Sequence, residues 1–129
     1  MFTLLEIETA HSKVKTGADF PHYIQEIKAL GVTSFETWVF DSHTNYFGNN
    51  DETICSDSQY NELTISDVVD QLKFIDYLKS HQKGETDYYT FCTHCAETGI
   101  VKWIVSLQDY SCIYYDQHNQ VILKEEIPH

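Results

Sequence analysis

The feature that most constrains the fold of this chain is a correspondence between its two halves. A shift of 68 residues, without gaps, superimposes Phe35 on Trp103 and Val39 on Leu107, so that apolar positions coincide. The same shift brings identical residues together where helix caps or hairpins are expected: Asp19 with Asp87, Gly31 with Gly99, Asp41 with Asp109, and Tyr46 with Tyr114. The sequence therefore predicts an internal repeat, in which a unit of about residues 3–48 recurs at about residues 66–116.

Each unit is predicted to contain two helices. Thr3 and Glu6 have the spacing of a capping box. Asp19, Ser66 and Asp87 are residue types that favour the N-cap position. A glycine follows each helical pattern, as is common where a helix ends in a left-handed conformation. The predicted helices cover residues 3–17, 19–31, 66–84 and 87–99, and the predicted apolar face of the third helix consists of Val68, Leu72, Ile75 and Leu78.

Each unit is also predicted to contain a β-hairpin, because apolar residues begin to alternate after its second helix. In the first unit Phe35, Thr37 and Val39 then share one face of a strand. Trp38 and Phe40 share the other face. The predicted strands cover residues 32–40, 44–47, 100–107, 112–116 and 121–124.

The two units are predicted to form one domain over residues 1–129. A chain of 129 residues has the usual size of a single domain. Neither unit alone could bury both its helices and its strands, so we expect the two hairpins to lie side by side. The predicted fold class is α+β: a duplicated helix-helix-hairpin unit forming one antiparallel sheet, with four helices mainly on one face and a pseudo-twofold axis.

The charge of the chain restricts its partners. Twenty acidic residues face eight basic ones, which gives a net charge of -12, and all eight basic residues are lysine. Recognition of phosphates relies heavily on arginine, so this composition argues against direct binding of nucleic acid or of anionic membranes. Residues 29–72 hold eight acidic residues and no basic one. This segment indicates either a solubilising surface or a surface for a basic partner, with mimicry of nucleic acid as a further alternative.

The sequence also bears on location. No apolar run approaches the roughly 20 residues that a membrane span requires. Glu6, Glu8 and His11 interrupt the N-terminal region, where a signal peptide needs an apolar stretch. We therefore expect a cytoplasmic protein without a membrane anchor, and in that compartment the four cysteines are expected to be free thiols.

Cys92 and Cys95, with His94 between them, resemble half of a zinc site or a redox pair. Under the shift of 68 residues, however, the two cysteines correspond to Ile24 and Ile27, which belong to the apolar stripe of the second helix. Buried cysteine behaves as a small hydrophobic residue. The cysteines are therefore predicted to lie in the core, and no metal or cofactor is expected.

An aromatic sheet face is the strongest candidate for a functional surface. If Phe35 and Val39 face the helices, Trp38 and Phe40 point to the other side of the sheet. Tyr46 or Phe47, together with Tyr114 or Tyr115, would join them there. Exposed apolar surface of this kind marks a site for a partner, a ligand or a second copy. The alternative is a second small core under the loop of residues 49–65.

The hairpin of the first unit also carries the only candidate reactive pair, Asp41 and His43. Residues two apart in an extended segment point to the same side, so the carboxylate could orient the imidazole. The sequence contains none of the common nucleophile, phosphate-loop or zinc-protease motifs. The leading interpretation is a non-enzymatic binding or interaction protein that acts as a homodimer or on a protein partner. The alternative is a small ligand-binding domain or enzyme that uses Asp41, His43 and Tyr46.

Six segments of the chain resemble the YdfO/YbcV-like family of small bacterial and prophage-borne proteins. They are MFTLLEIE at residues 1–8, HSKVKTGADFPHY at 11–23, KALGVTSFE at 28–36, HTNYFG at 43–48, TDYYTFC at 86–92 and YYD at 114–116. The resemblance runs nearly from end to end. It implies a compact α+β domain and brings neither an established function nor catalytic residues.

Overall fold

The computed structural model describes residues 2–15 and 17–128. Within them the helices are α1 (Leu4–His11), α2 (Phe20–Leu30), α3 (Gln71–Gln82) and α4 (Tyr88–Glu97), with a short 3-10 turn at Gly17–Asp19. The strands are β1 (Val32–Trp38), β2 (Thr44–Gly48), β3 (Thr53–Cys55), β4 (Lys102–Ser106), β5 (Ser111–Tyr115) and β6 (Val121–Glu126). The predicted α+β fold class is confirmed.

The six strands form one antiparallel sheet in the order β3-β2-β1-β4-β5-β6. The hairpins β1-β2 and β4-β5 therefore lie side by side, with β1 and β4 at the centre. The edge strand β3 follows the first hairpin and was not predicted, because its three residues are too few to show an alternation. β6 occupies the corresponding place after the second hairpin.

The register at the centre of the sheet relates the two halves. β1 pairs with β4 so that Glu36 lies opposite Ile104, its own counterpart under the shift of 68 residues. The backbone is left-handed at Gly31 and Gly99, with φ of 110° and 85°. It is left-handed again at both hairpin turns, with φ of 60° at Ser42 and 52° at Tyr110. The duplication stays a prediction, and these correspondences support it.

All four helices pack on one face of the sheet, which we call the inner face. The ring of Tyr23 on α2 contacts Phe35 on β1, with centroids 6.5 Å apart. Phe74 on α3 contacts Tyr114 on β5 at 4.9 Å. Aliphatic side chains fill the space between these rings. The fully buried aliphatic residues are Ile7, Ile24, Ile27, Val32, Val39, Ile100, Val105 and Leu107.

Two helix boundaries differ from the predicted ones. α1 ends at His11 rather than near Gly17, and Thr16 of that predicted helix lies outside the described residues. α3 begins at Gln71 rather than at Ser66, because the carboxylate of Asp70 accepts the Lys73 amide hydrogen and so caps the helix there.

The residues before α3 form an irregular connection, with a bend at Asp67 and Val68, instead of a helix. The Ser66 amide donates to the Ala96 carbonyl at 2.8 Å and the Asp70 amide donates to the Thr98 carbonyl at 3.1 Å, so these amides bond to the end of α4. Val68 and Leu72, predicted as part of the apolar face, are 73% and 77% exposed. That prediction is wrong for these two residues. The buried residues of α3 are Leu78, which the predicted face included, and Phe74, which it did not.

Histidine burial between α3 and α4 leads to a prediction about pH. The ring of His81 lies parallel to Phe91, with centroids 4.4 Å apart, and burial lowers the pKa of His81. The unfolded chain therefore binds more protons than the folded one just below pH ~6.5, and stability falls as the pH falls through that value. Thermal melts between about pH 7.5 and 5.5 test this. The melting temperature should fall less for His81→Gln than for wild type as the pH is lowered.

The control for this experiment is His118→Gln, which changes an exposed histidine. It should keep the wild-type dependence on pH. The N-cap residue Asp87 does not interfere in this range, because its hydrogen bonds from Thr90 lower its pKa, and its contribution is lost only under more acidic conditions. Identical slopes for wild type and His81→Gln would contradict the assignment.

Candidate functional site

The second face of the sheet, which we call the open face, carries the side chains that alternate with the buried ones. Neighbouring strands keep the same alternation, so their outward residues form continuous rows across the sheet. Most of these side chains are part-exposed, whereas those of the inner face are mostly buried. The central residues of the open face are Ser34, Glu36, Trp38, Asn45, Phe47, Lys102, Ile104, Ser106, Ile113 and Tyr115.

Five large apolar or aromatic side chains lie on the open face. Trp38 is on β1 and Phe47 on β2, while Ile104 on β4 pairs directly with Ile113 on β5. Tyr115 on β5 pairs with Lys102 of β4. A group of this size on one sheet face is typical of a surface that binds another molecule. The sequence predicted such a face, and the structure places Trp38 in it.

A charged pair lies at the centre of the open face. The Lys102 ammonium is 3.3 Å from a Glu36 carboxylate oxygen, and the Trp38 indole nitrogen donates to the other oxygen at 2.9 Å. The ammonium also lies 4.8 Å from the Trp38 ring centroid and 5.4 Å from that of Tyr115. Only 13% of the Lys102 side chain is exposed. Cation-π contacts and the ion pair together hold these rings in place.

Three further predicted residues extend this group at one end of the sheet. The His43 ring lies parallel to Trp38, with an interplanar angle of 10°, and meets the edge of Phe40 at 5.4 Å. The His43 Nδ1 atom is 2.6 Å from a carboxylate oxygen of Asp41. The carboxylate therefore orients the imidazole as the sequence suggested. Trp38, Phe40, Asp41 and His43 lie together.

Tyr46 does not belong to this group. It pairs with Phe35 on the inner face, with ring centroids 5.5 Å apart, and is 8% exposed. Burial raises the pKa of Tyr46. Because side chains alternate along a strand, placing Thr44 and Tyr46 inward leaves Phe47 on the open face. The structure thus separates Tyr46 from Asp41 and His43, with which the sequence had grouped it.

The loop of residues 49–65 meets the β1-β2 turn. The Gln59 amide donates to the Asp41 carbonyl and the Leu63 amide to the Phe40 carbonyl, both at 2.7 Å. The Tyr60 hydroxyl donates to the Val39 carbonyl. These contacts fix the loop at the end of β1, beside the inner-face residue Val39, and hold the backbone from which Phe40 and Asp41 project.

The cysteine motif of α4 belongs to the core. Cys92 and Cys95 are fully buried, as the sequence predicted, and burial raises the pKa of both thiols. The same cause raises the pKa of Cys112 to about 12. Thiols with raised pKa values are poor nucleophiles at neutral pH. Within residues 2–15 and 17–128, no three side chains of histidine, cysteine or acidic residues are grouped as metal ligands.

A shallow groove of about 470 Å³ lies between α1 and α2. Its apolar lining includes Leu5, Ala29 and Leu30, and the Lys13–Glu26 ion pair closes one side. None of the five predicted site residues lines it. The groove and the open face are therefore separate features of the surface.

The sequence analysis did not identify four residues of the open face: Glu36, Lys102, Ile104 and Ile113. The signal that could have found them is the repeat: a twofold arrangement places Glu36 opposite Ile104, and this register places Lys102 opposite Trp38. Hydrophobic pattern alone cannot supply that register, because it does not say which strands are neighbours.

The protein family described as "Protein of unknown function (DUF1398)" matches residues 8–126. The chain belongs to this family. No curated protein matches it. Membership in the DUF1398 family assigns neither an activity nor a ligand, so the surface itself is the guide to function. Across the part of the chain that is described, no helix has the length and apolar character to cross a membrane.

Proposed function

We propose that this protein is a non-enzymatic binding protein and that the open face is the surface that takes its partner. One observation carries the proposal: within residues 2–15 and 17–128, helices pack on only one side of the six-stranded sheet, and the other side presents five large apolar or aromatic side chains. Leaving such residues part-exposed costs hydrophobic stabilisation. A partner that covers them recovers it.

The composition of the chain supports a protein as the partner. The net charge of -12 and the lack of arginine favour a protein partner over nucleic acid. The acidic segment of residues 29–72 then contributes solubility or selects among partners by charge.

Substitutions on the open face should abolish partner capture. Ile113→Lys and Phe47→Lys each place a charge among apolar side chains that a partner would cover, so we expect at least about a tenfold loss of retained partner. Leu72→Lys is the matched control, because Leu72 is 77% exposed on α3, away from the open face. The measurement is quantitative mass spectrometry of proteins retained from a bacterial lysate by each immobilised variant. Equal retention by all variants would rule out the open face.

A second candidate function is favoured by the 2.6 Å contact between Asp41 and His43. An imidazole oriented by a carboxylate can bind a ligand or transfer a proton. A metabolite screen by thermal shift tests this candidate, with His43→Gln as the control. A ligand that stabilises wild type but not the variant would favour it, and a screen without such a ligand would count against it.

A further inference from the structure

We propose that the partner of the open face is a second copy of this chain, packed face to face about a twofold axis that runs parallel to the strands between β1 and β4. This inference rests on the proposed function of the open face. Two sheets packed in this way lie about 10 Å apart, as in a β-sandwich. The charge pattern of the open face supports this arrangement, and the area of the face indicates how strong the association would be.

The open face is neutral although the chain is strongly acidic. Its strand residues include two glutamates, Glu36 and Glu126, and two lysines, Lys102 and Lys124. Apart from Asp41 at one end of the sheet, the acidic excess of the chain therefore lies elsewhere on the protein. Two copies that meet through their open faces bring neutral surfaces together and hold their acidic surfaces apart, which limits the repulsion between like molecules.

The charges at the centre of the open face are arranged to complement themselves. Glu36 lies on β1 and Lys102 on β4, on either side of the proposed axis. In a twofold interface the same patch is used by both copies, so β1 of one copy lies over β4 of the other. Glu36 of each copy then lies within reach of Lys102 of the other, and Trp38 lies over Lys102 of the other copy. Complementary charges of this kind set the register of an interface.

The open face is small for a stable interface. Six strands about 4.8 Å apart, with about five residues each, form a face of roughly 24 by 17 Å, or about 400 Å². A standard stable interface buries about 800 Å² per partner. We therefore expect a weak dimer that forms at high micromolar concentration and dissociates on dilution.

Cysteine cross-linking tests the inference. In a Cys55→Ser background, which removes the exposed thiol, Ile104→Cys places a thiol beside the axis and Leu72→Cys places a control thiol on α3. With a short bis-maleimide, whose arm spans the gap between sheets about 10 Å apart, the variant with Cys at position 104 should form the cross-linked dimer at least about tenfold faster than the control, because its two thiols meet at high effective concentration. Sedimentation equilibrium of wild type should show the mass rising with concentration.

Two results would overturn the inference. In the first, the thiols at positions 104 and 72 cross-link at the same rate and the mass stays monomeric, while Ile113→Lys captures fewer proteins than wild type. The partner is then not a second copy of the chain, and the open face binds another protein. If the mass stays monomeric and Ile113→Lys loses nothing, both proposals fail. A charge-swap experiment, in which the Glu36→Lys and Lys102→Glu variants are mixed, gives the result that would support the inference. Each variant alone should dimerise less than wild type, and their mixture should form a heterodimer.

Discussion

Replacement of Phe74 by alanine is expected to lower the free energy of unfolding by about 3–5 kcal/mol, because Phe74 is fully buried and its loss leaves a cavity. Its ring joins the two helices of the second half to the sheet: it contacts Phe91 on α4 at 6.3 Å and Tyr114 on β5 at 4.9 Å. Urea denaturation followed by circular dichroism measures the effect.

Leu72→Ala is the matched control on the same helix. Leu72 is 77% exposed, so its replacement should change the free energy of unfolding by less than about 0.5 kcal/mol. The comparison also tests the register of α3, since the sequence pattern had placed Leu72 in the core. A larger loss for Leu72→Ala than for Phe74→Ala would contradict the structure of this region.

The second large effect is expected at Gly99, which ends α4. Its φ of 85° lies in the left-handed region, where a side chain costs about 1–2 kcal/mol. A Cβ atom there would also lie 3.0 Å from both the Val68 carbonyl oxygen and the Val69 Cα atom, and backbone atoms cannot move aside cheaply. Gly99→Ala should therefore lower the free energy of unfolding by about 2–4 kcal/mol, as measured by urea denaturation.

Gly31 supplies the comparison for this prediction. It ends α2 with a φ of 110°, but a Cβ atom there would meet only the Phe2 side chain, at an ordinary 3.8 Å. Gly31→Ala should introduce backbone strain without the close contact. It should therefore lower the free energy of unfolding by less than Gly99→Ala does. Equal losses would mean that the connection before α3 does not pack against Gly99.

Much of the fold could be predicted because local and long-range signals agree. Gly31 and Gly99 end helices with left-handed backbone, as their positions indicated. Alternation along β1 correctly assigned Phe35 and Val39 to the inner face and Trp38 to the other. The predicted start of α3 was wrong because Val68 and Leu72 fit a helical period, while hydrogen bonds from the amides of Ser66 and Asp70 to the end of α4 hold the preceding backbone in a non-helical form.

The candidate site was predicted in part. The grouping of Asp41 with His43 depends only on neighbouring residues in one extended segment, and a local rule suffices for it. Tyr46 was misplaced because an error of one residue in the returning strand moves a side chain to the opposite face. Lys102 was missed because its contacts with Glu36 and Trp38 depend on the pairing of β1 with β4, which are far apart in the sequence.

The openness of the sheet face can be measured directly by the relaxation of isoleucine methyl groups in the presence of a soluble gadolinium complex. In dilute protein, the methyl groups of Ile104 and Ile113 on the open face should relax strongly, while those of Ile24 and Ile27, which are fully buried, should not. Protection of Ile104 and Ile113 equal to that of Ile24 in the monomer would show that the chain covers this face itself and would contradict its role in binding.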